Sequence, residues 1–259
     1  MPRDLNAERP SKPSQLSESP ERQDDAAGTD LGDSVLQGGS QVGLHISERD
    51  KLKPYVRALT LADVESCVHL EIDAFPEQFR CSREKFIYRL TKCAELSLGM
   101  FSTAHPDSPI AQAATAHYAT AADSSSPNDR EVLLAHVVAT KCDSDVVTDE
   151  AMDIPHHGAT AGSGGASCAG HREEGRTIAL HSLAVLSEFQ AKGLGTTILK
   201  SYLQRMGPSG IADRVALLCE KELVKFYEEA GFEDKGRSKA RFGGGDWNDM
   251  VFELAKVKS

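Results

Sequence analysis

The sequence predicts an α/β (α+β) fold, in which helices flank a mixed, mostly antiparallel central sheet. Three observations lead there. Short apolar runs with strand character recur at 55–59, 96–101, 132–139, 178–186, 214–220 and 250–254. Helical stripes fall between several of them, set off by glycine, proline and capping residues. The chain has 259 residues, 40% hydrophobic and 26% charged, which suits one sizeable globular domain.

The elements follow in order. Residues 1–52 are rich in Ser, Pro, Gly, Asp and Glu without periodicity, and are expected to form a disordered tail ahead of a domain at 53–256. "YVRAL" alternates apolar and polar residues as a half-buried strand does. Thr60 caps a helix, with Asp63 three residues on, and Val64, Val68, Glu71 and Phe75 share one stripe. "PEQF" breaks that helix, and Ser82 caps a second, whose stripe holds Phe86, Ile87 and Leu90. The strands at 96–101 and 132–139 bracket an Ala/Ser-rich loop insertion at about 104–129. A second insertion at 142–176, rich in Asp, Gly and Ala, reads as loop or disorder. Then come strand Ile178–Leu186, a glycine turn, and a helix from near Lys192 to Met206 with Leu194, Ile198, Leu199, Tyr202 and Met206 on one face. Strand "RVALLCE", helix "ELVKFYEEA" stopped by Gly231, the turn "FGGGDW" and a last strand at 250–254 complete the domain.

Composition excludes several functions. A formal net charge of −10 argues against nucleic acid, whose binding rests on neutralising phosphates with basic side chains. No run of about 18 apolar residues offers a membrane span, and the N-terminus lacks the apolar stretch of a secretory signal. Six cysteines scattered without a C-x-x-C pair suit reduced thiols in a cytoplasmic protein, which is expected to be a monomer. Asp149, Glu150, Asp153, His156, His157, Cys168 and His171 include metal-binding side chains, but their spacing matches no zinc module, so no metal is expected.

"FQAKGLGTTILKSYL" (189–203) carries the chief chemical signal. Backbone N–H groups at a helix start lack intrahelical partners, the helix dipole adds positive potential, and glycine lets an anion come close. The pattern is neither G-x-G-x-x-G nor G-x-x-x-x-G-K-[ST], because Ile198 stands three residues after Gly195. By itself it is equally a glycine-started helix that binds nothing.

Gln190, Gly193 and Gly195 read Q-x-x-G-x-G directly after an apolar strand, which resembles the acetyl-CoA pyrophosphate loop of the GNAT acyltransferase superfamily. "CAELSLGMF", "ALHSLAVLSEFQAKGLGTTILKSYLQRM" and "ALLCEKELVKFYEEAGF" resemble successive segments of the arylalkylamine (serotonin) N-acetyltransferases and their fungal polyamine-acetylating relatives. "DAFPEQFRCSREKFIYRL" is similar to the fungal branch, and together these segments cover most of 55–254.

The resemblance implies acetyl transfer from acetyl-CoA to a primary amine by direct attack in a ternary complex. Gln190, Ala191, Lys192, Gly193, Leu194, Gly195, Thr196 and Thr197 would hold the pyrophosphate. Backbone amides near Leu183, Ala184 and Val185 would polarise the carbonyl, and Phe226 would pack on the pantetheine arm. His181 falls on the second of two proton-removing histidines; the first position is Ala179 here, which leaves a one-histidine relay. A histidine, with its ordinary pKa near 6.5, suits that task, although a lone histidine in an apolar strand is more often a hydrogen-bonded core residue. On a regular strand it shares a face with Leu183 and Val185. Tyr227 fits the core face of its helix, and the resemblance makes it the acid that protonates the departing thiolate.

The amine stays open at this point. Phe75, Phe79 and Phe86 suit an aromatic slot, whereas Glu71, Asp73 and Glu77 suit a polyamine groove. Glu220 either holds a cationic amine or merely starts a helix, and Glu71 and Asp73 either line the amine entrance or sit on a solvated face. The resemblance further implies a loop around Phe75–Phe79 that buries the substrate. A protein-lysine acetyltransferase with an open peptide groove, and a non-catalytic acyl-CoA sensor, are the alternatives.

Overall fold

The computed structural model describes residues 52–123, 125–155 and 169–254. The expected N-terminal tail, apart from Leu52, lies outside them, as do His156, His157 and Cys168. One sheet of eight strands forms the centre: β1 (Tyr55–Ala58), β2 (Leu98–Ala104), β3 (Thr120–Asp123), β4 (Ser126–Cys142), β5 (Thr177–Val185), β6 (Arg214–Cys219), β7 (Glu233–Arg237) and β8 (Asn248–Glu253). Their order is β1-β2-β4-β5-β6-β8-β7, with β3 paired to β4. Among the described residues only β5 and β6 run parallel, and every other pair is antiparallel. Helices α1 (Val64–Ala74), α2 (Arg83–Lys92) and the short α3 (Asp149–Met152) serve one face, and α4 (Leu194–Met206) and α5 (Val224–Glu229) the other.

Local chemistry sets the helix starts. Thr60 and Asp63 form a capping box, and the Ser82 hydroxyl accepts from the Lys85 N–H at 3.3 Å. The expected stripe of α4 is buried throughout, with Leu194, Ile198, Leu199, Tyr202 and Met206 all within the core. On α2, Phe86 and Leu90 are buried, but Ile87 turns out to solvent. The chain leaves α5 through Gly231 at φ +96, where the Tyr227 carbonyl accepts from Phe232 N–H.

Strand β4 is the spine, and it is longer than the apolar run Val132–Ala139 suggested. From Val132 to Cys142 every residue is buried, as expected of a strand covered on both faces. Both insertions contribute short regular elements among their described residues. The 104–129 insertion supplies β3 and the start of β4. Within 142–176, Val147, Ala151 and Met152 are buried in a cluster with Trp247 and Ala240, because their side chains close the end of the sheet. Strand β7 ("EDKGR") had no apolar signal; it is an edge strand with mostly exposed, charged residues.

Candidate active site

The site begins where the parallel pair separates. β5 and β6 are in register from Thr177↔Arg214 to Leu180↔Leu217, yet β5 continues to Val185 and β6 to Cys219. Beyond Leu180 one edge of β5 therefore has no strand partner. The Leu186 N–H donates to the Leu134 carbonyl across the β4 side. By alternation, the backbone groups of Leu183 and Val185 point into the opening, while those of Ala184 point to β4. The Val185 carbonyl is taken by the Gln190 side-chain amide at 3.1 Å, which leaves N–H donors at the gap.

The glycine turn follows directly. Ala191 (φ +57) and Gly193 (φ +77) are both left-handed, a conformation that is strained for alanine and that lifts the loop over the helix start. A Cβ placed on Gly193 would meet nothing within 4 Å, so this position faces open space. The cap of α4 has no side-chain hydrogen bond, and its first N–H groups stay free for an anion. Thr197 turns its hydroxyl inward to the Gly193 carbonyl at 2.9 Å. Lys192 and Ala191 are exposed, Gly193, Thr196 and Thr197 are half-buried, and Leu194 and Gly195 are buried. The Lys192 ammonium sits 5.2 Å from the Phe189 ring centroid.

Tyr227 lies on α5, near Cys219 at the end of β6. Its ring is fully buried between Phe226 and Phe232, at 5.0 and 5.5 Å between centroids. Its hydroxyl has no hydrogen-bond partner among the described residues. Burial, with the nearby Cys219 thiol, pushes the phenol well above its usual range, so it stays protonated. A buried donor left unmade costs about 1–3 kcal/mol.

His181 lies elsewhere than a regular strand would put it. Val138 pairs with Ser182 and Ala139 with Leu180, so His181 is an extra residue in a β-bulge. The bulge turns His181 and Ser182 toward the same face, under α1 and α3, whereas Leu183 and Val185 face α4. The expectation that these three share a face is thus overturned. His181 Nε2 pairs with the Thr140 hydroxyl at 2.8 Å, and Nδ1 lies 3.1 Å from Met152 Sδ. Burial, helped by the charges of Arg89 and Lys85, drives its pKa well below 6.5 and keeps the ring neutral.

The acidic candidates are also relocated. Glu71 lines no open entrance: at 1% exposure, its Oε1 is 3.0 Å from His136 Nε2 and accepts from the Ser182 hydroxyl, and its Oε2 accepts from the Cys81 N–H at 2.8 Å. Asp73 accepts from both the N–H and the hydroxyl of Ser187, at 2.6 and 3.0 Å. Glu220 is half-buried at the end of β6; the short turn after it has no side-chain cap bond, so its carboxylate is not spent as a helix cap. Phe75 and Phe86 are core residues, and Phe79 alone of the three is half-buried. Phe79 packs edge-on against Trp247 at 4.9 Å, and a Cβ on Gly243 would lie 2.6 Å from both Gln78 O and Phe79 Cδ1. The loop after α1 is therefore closed against the "FGGGDW" turn. Sequence reasoning missed Trp247 and His136. The single tryptophan in a glycine turn, and a lone histidine within "VLLAHVVAT", were their only signals.

Among known proteins, the family described as Acetyltransferase (GNAT) domain matches residues 126–254. The chain carries a GNAT acetyltransferase domain. The serotonin N-acetyltransferases of Mesocricetus auratus and Homo sapiens are 28% and 26% identical to it over 183 residues, which is 70% of this chain and 68% of each relative. Two solved structures share the fold: the loading GNATL domain of CurA from Lyngbya majuscula (13% identity, TM-score 0.51, 78% of this chain and 98% of that one) and the GphF GNAT-like decarboxylase in complex with isobutyryl-CoA (14%, 0.52, 78% and 100%). The GNAT fold expected from the sequence is the fold observed. No helix among the described residues is long and apolar enough to cross a membrane.

Proposed function

We propose that this GNAT domain transfers the acetyl group of acetyl-CoA to the primary amine of a small arylalkylamine, by direct attack in a ternary complex. The observation that carries the reading is the buried Tyr227 hydroxyl, which has no hydrogen-bond partner among the described residues and lies near Cys219 at the end of β6. The residues present fit coenzyme A: the free amides around Gly193 suit its pyrophosphate, Phe226 its pantetheine arm, and the donors of Leu183 and Val185 the thioester carbonyl. The thioester supplies the activated acetyl. Tyr227 gives its proton to the departing thiolate, a transfer between groups whose ordinary pKa values are about 10 and 8.5. The amine loses a proton toward the histidine side of β5, although His181 itself has both nitrogens engaged and a pKa held well below its ordinary value.

The aromatic amine is favoured over a polyamine because two of the acidic candidates, Glu71 and Asp73, are occupied. Glu71 is sealed with His136, and Asp73 holds Ser187, whereas Phe79 and Trp247 meet at the covering loop. The closed contact between that loop and Gly243 favours a small amine over a peptide lysine. The names of the relatives point the same way. The five described cysteines are all free, which supports a cytoplasmic setting. The test is release of free coenzyme A with serotonin, tryptamine, spermidine and a lysine peptide. Serotonin or tryptamine should give the highest kcat/KM. Spermidine ahead of both would overturn the aryl assignment, and acetyl-CoA binding without turnover of any amine would make the protein a sensor.

A further inference from the structure

On the face of the sheet away from Tyr227, Glu71, His136 and Ser182 form a cluster that the sequence did not announce. All three are at most 1% exposed. They come from α1, β4 and β5, and they sit beside the bulge that carries His181. His136 Nε2 is 3.0 Å from Glu71 Oε1 and 3.1 Å from the Ser182 hydroxyl. His136 Nδ1 is buried and has no hydrogen-bond partner among the described residues.

The protonation pattern follows from the donors and acceptors. Burial alone would raise the Glu71 carboxyl, but the bonds from His136 and Ser182 hold it below the usual range, so it is ionised at neutral pH and only accepts. The hydrogen between His136 and Glu71 therefore belongs to Nε2. With Nε2 turned to Glu71, Nδ1 is the ring nitrogen left without a partner among the described residues, and the carboxylate stands behind the ring. This is the arrangement of an oriented base. His181 is less favourably placed, with both its nitrogens engaged and positive charges at Arg89 and Lys85 opposing its protonation.

We propose that His136, held by Glu71, is the second proton-accepting histidine of this enzyme, supplied from β4 where the one-histidine reading of β5 left Ala179. The inference rests on the amine-acetylating reading above. In the step it serves, an ammonium N–H bond breaks, its proton passes to His136 Nδ1, and the nitrogen keeps the electron pair for attack. The imidazolium returns that proton to solvent after product leaves. Glu71 also accepts from Cys81 N–H at the end of the covering loop, so one carboxylate joins the base to the segment that closes over the amine. The titratable groups around the pair are Glu71 and Cys67 from α1, Cys81 from the loop, Lys85 and Arg89 from α2, and His181 from β5.

The test has two independent readouts. 15N NMR of the wild-type protein with labelled histidine should show His136 as the Nε2–H tautomer at neutral pH; an Nδ1–H tautomer overturns the inference whether or not any amine is turned over. With the best amine of the screen, His136→Gln should lower kcat/KM by about 10²-fold and remove one ionisation from the acidic limb of its pH profile. Its acetyl-CoA affinity should stay within about twofold of wild type. Added imidazole should restore part of the rate of His136→Ala. An unchanged pH profile in a folded, acetyl-CoA-binding His136→Gln protein sinks the inference while leaving the acetyltransferase reading intact. A wild-type protein that acetylates no amine sinks both.

Discussion

The two faces of β5 treat their polar groups in opposite ways. Toward α1 and α3, the Thr140 and Ser182 hydroxyls and the Glu71 carboxylate are all bonded inside the protein, and of the ring nitrogens only His136 Nδ1 is left over. Toward α4 and α5, the Tyr227 hydroxyl, the amides at the gap and the start of α4 are left unmade. The first face is organised before anything binds. The second leaves these donors without partners among the described residues. A buried network stabilises through its satisfied bonds, whereas unsatisfied donors cost stability and return it on binding. The difference can be tested by substitution on each face.

The largest effect is expected at the unmade hydroxyl. Tyr227→Phe removes the proton donor and should lower kcat by about 10²–10³-fold, within the usual range for a general acid. The same change deletes a buried orphan donor, so the variant should melt a few degrees higher rather than lower. Thiol release and thermal melting check both halves. A drop in both activity and melting temperature would mean that the hydroxyl is satisfied in the free protein, and the contrast between the faces would fail.

The next effect is at the cradle. Gly193→Val puts a β-branched side chain at φ +77, and into the space the phosphate would occupy. The acetyl-CoA Kd should rise by at least about tenfold, since 1.4 kcal/mol corresponds to that factor. The backbone strain should cost about 1–2 kcal/mol of stability. Calorimetric titration measures the first and denaturant melts the second. An unchanged Kd would show that the anion sits elsewhere.

The two faces were unequally legible in sequence. The open one could be read because its signals are local: a strand, two glycines at fixed spacing, and a helix whose stripe of Leu194, Ile198, Leu199 and Tyr202 fixes which side is buried. The closed one could not, because it depends on register. His181 changes face through a bulge defined only by its pairing with Val138 and Ala139, and Glu71 meets His136 across 65 residues of sequence. Trp247 escaped for the same reason: a tryptophan in a glycine turn shows its role only once Phe79, from the far end of the chain, packs on it. Edge strand β7 had no apolar pattern to find.

The smallest effect concerns stability on the closed face, and its sign follows from linkage. His181 has a folded-state pKa well below its ordinary 6.5, caused first by burial and then by Arg89 and Lys85. In the unfolded chain the same ring takes up a proton near pH 6.5, so as pH falls the unfolded state binds more protons than the native one. The contribution of the neutral ring is therefore present above pH 6.5 and is lost as pH falls below it. Between pH 7 and pH 5.5 that loss should reach about 1 kcal/mol, given about 1.4 kcal/mol per pH unit at the limit. His181→Gln keeps a side chain able to meet the Thr140 hydroxyl but does not titrate. The stability difference between wild type and variant should accordingly fall over this interval, whatever the other histidines do in both proteins. A difference that stays flat from pH 7 to 5.5 would mean that His181 charges freely in the folded state. Its face of β5 would then be as open to water as the other, and the asymmetry between the two would vanish.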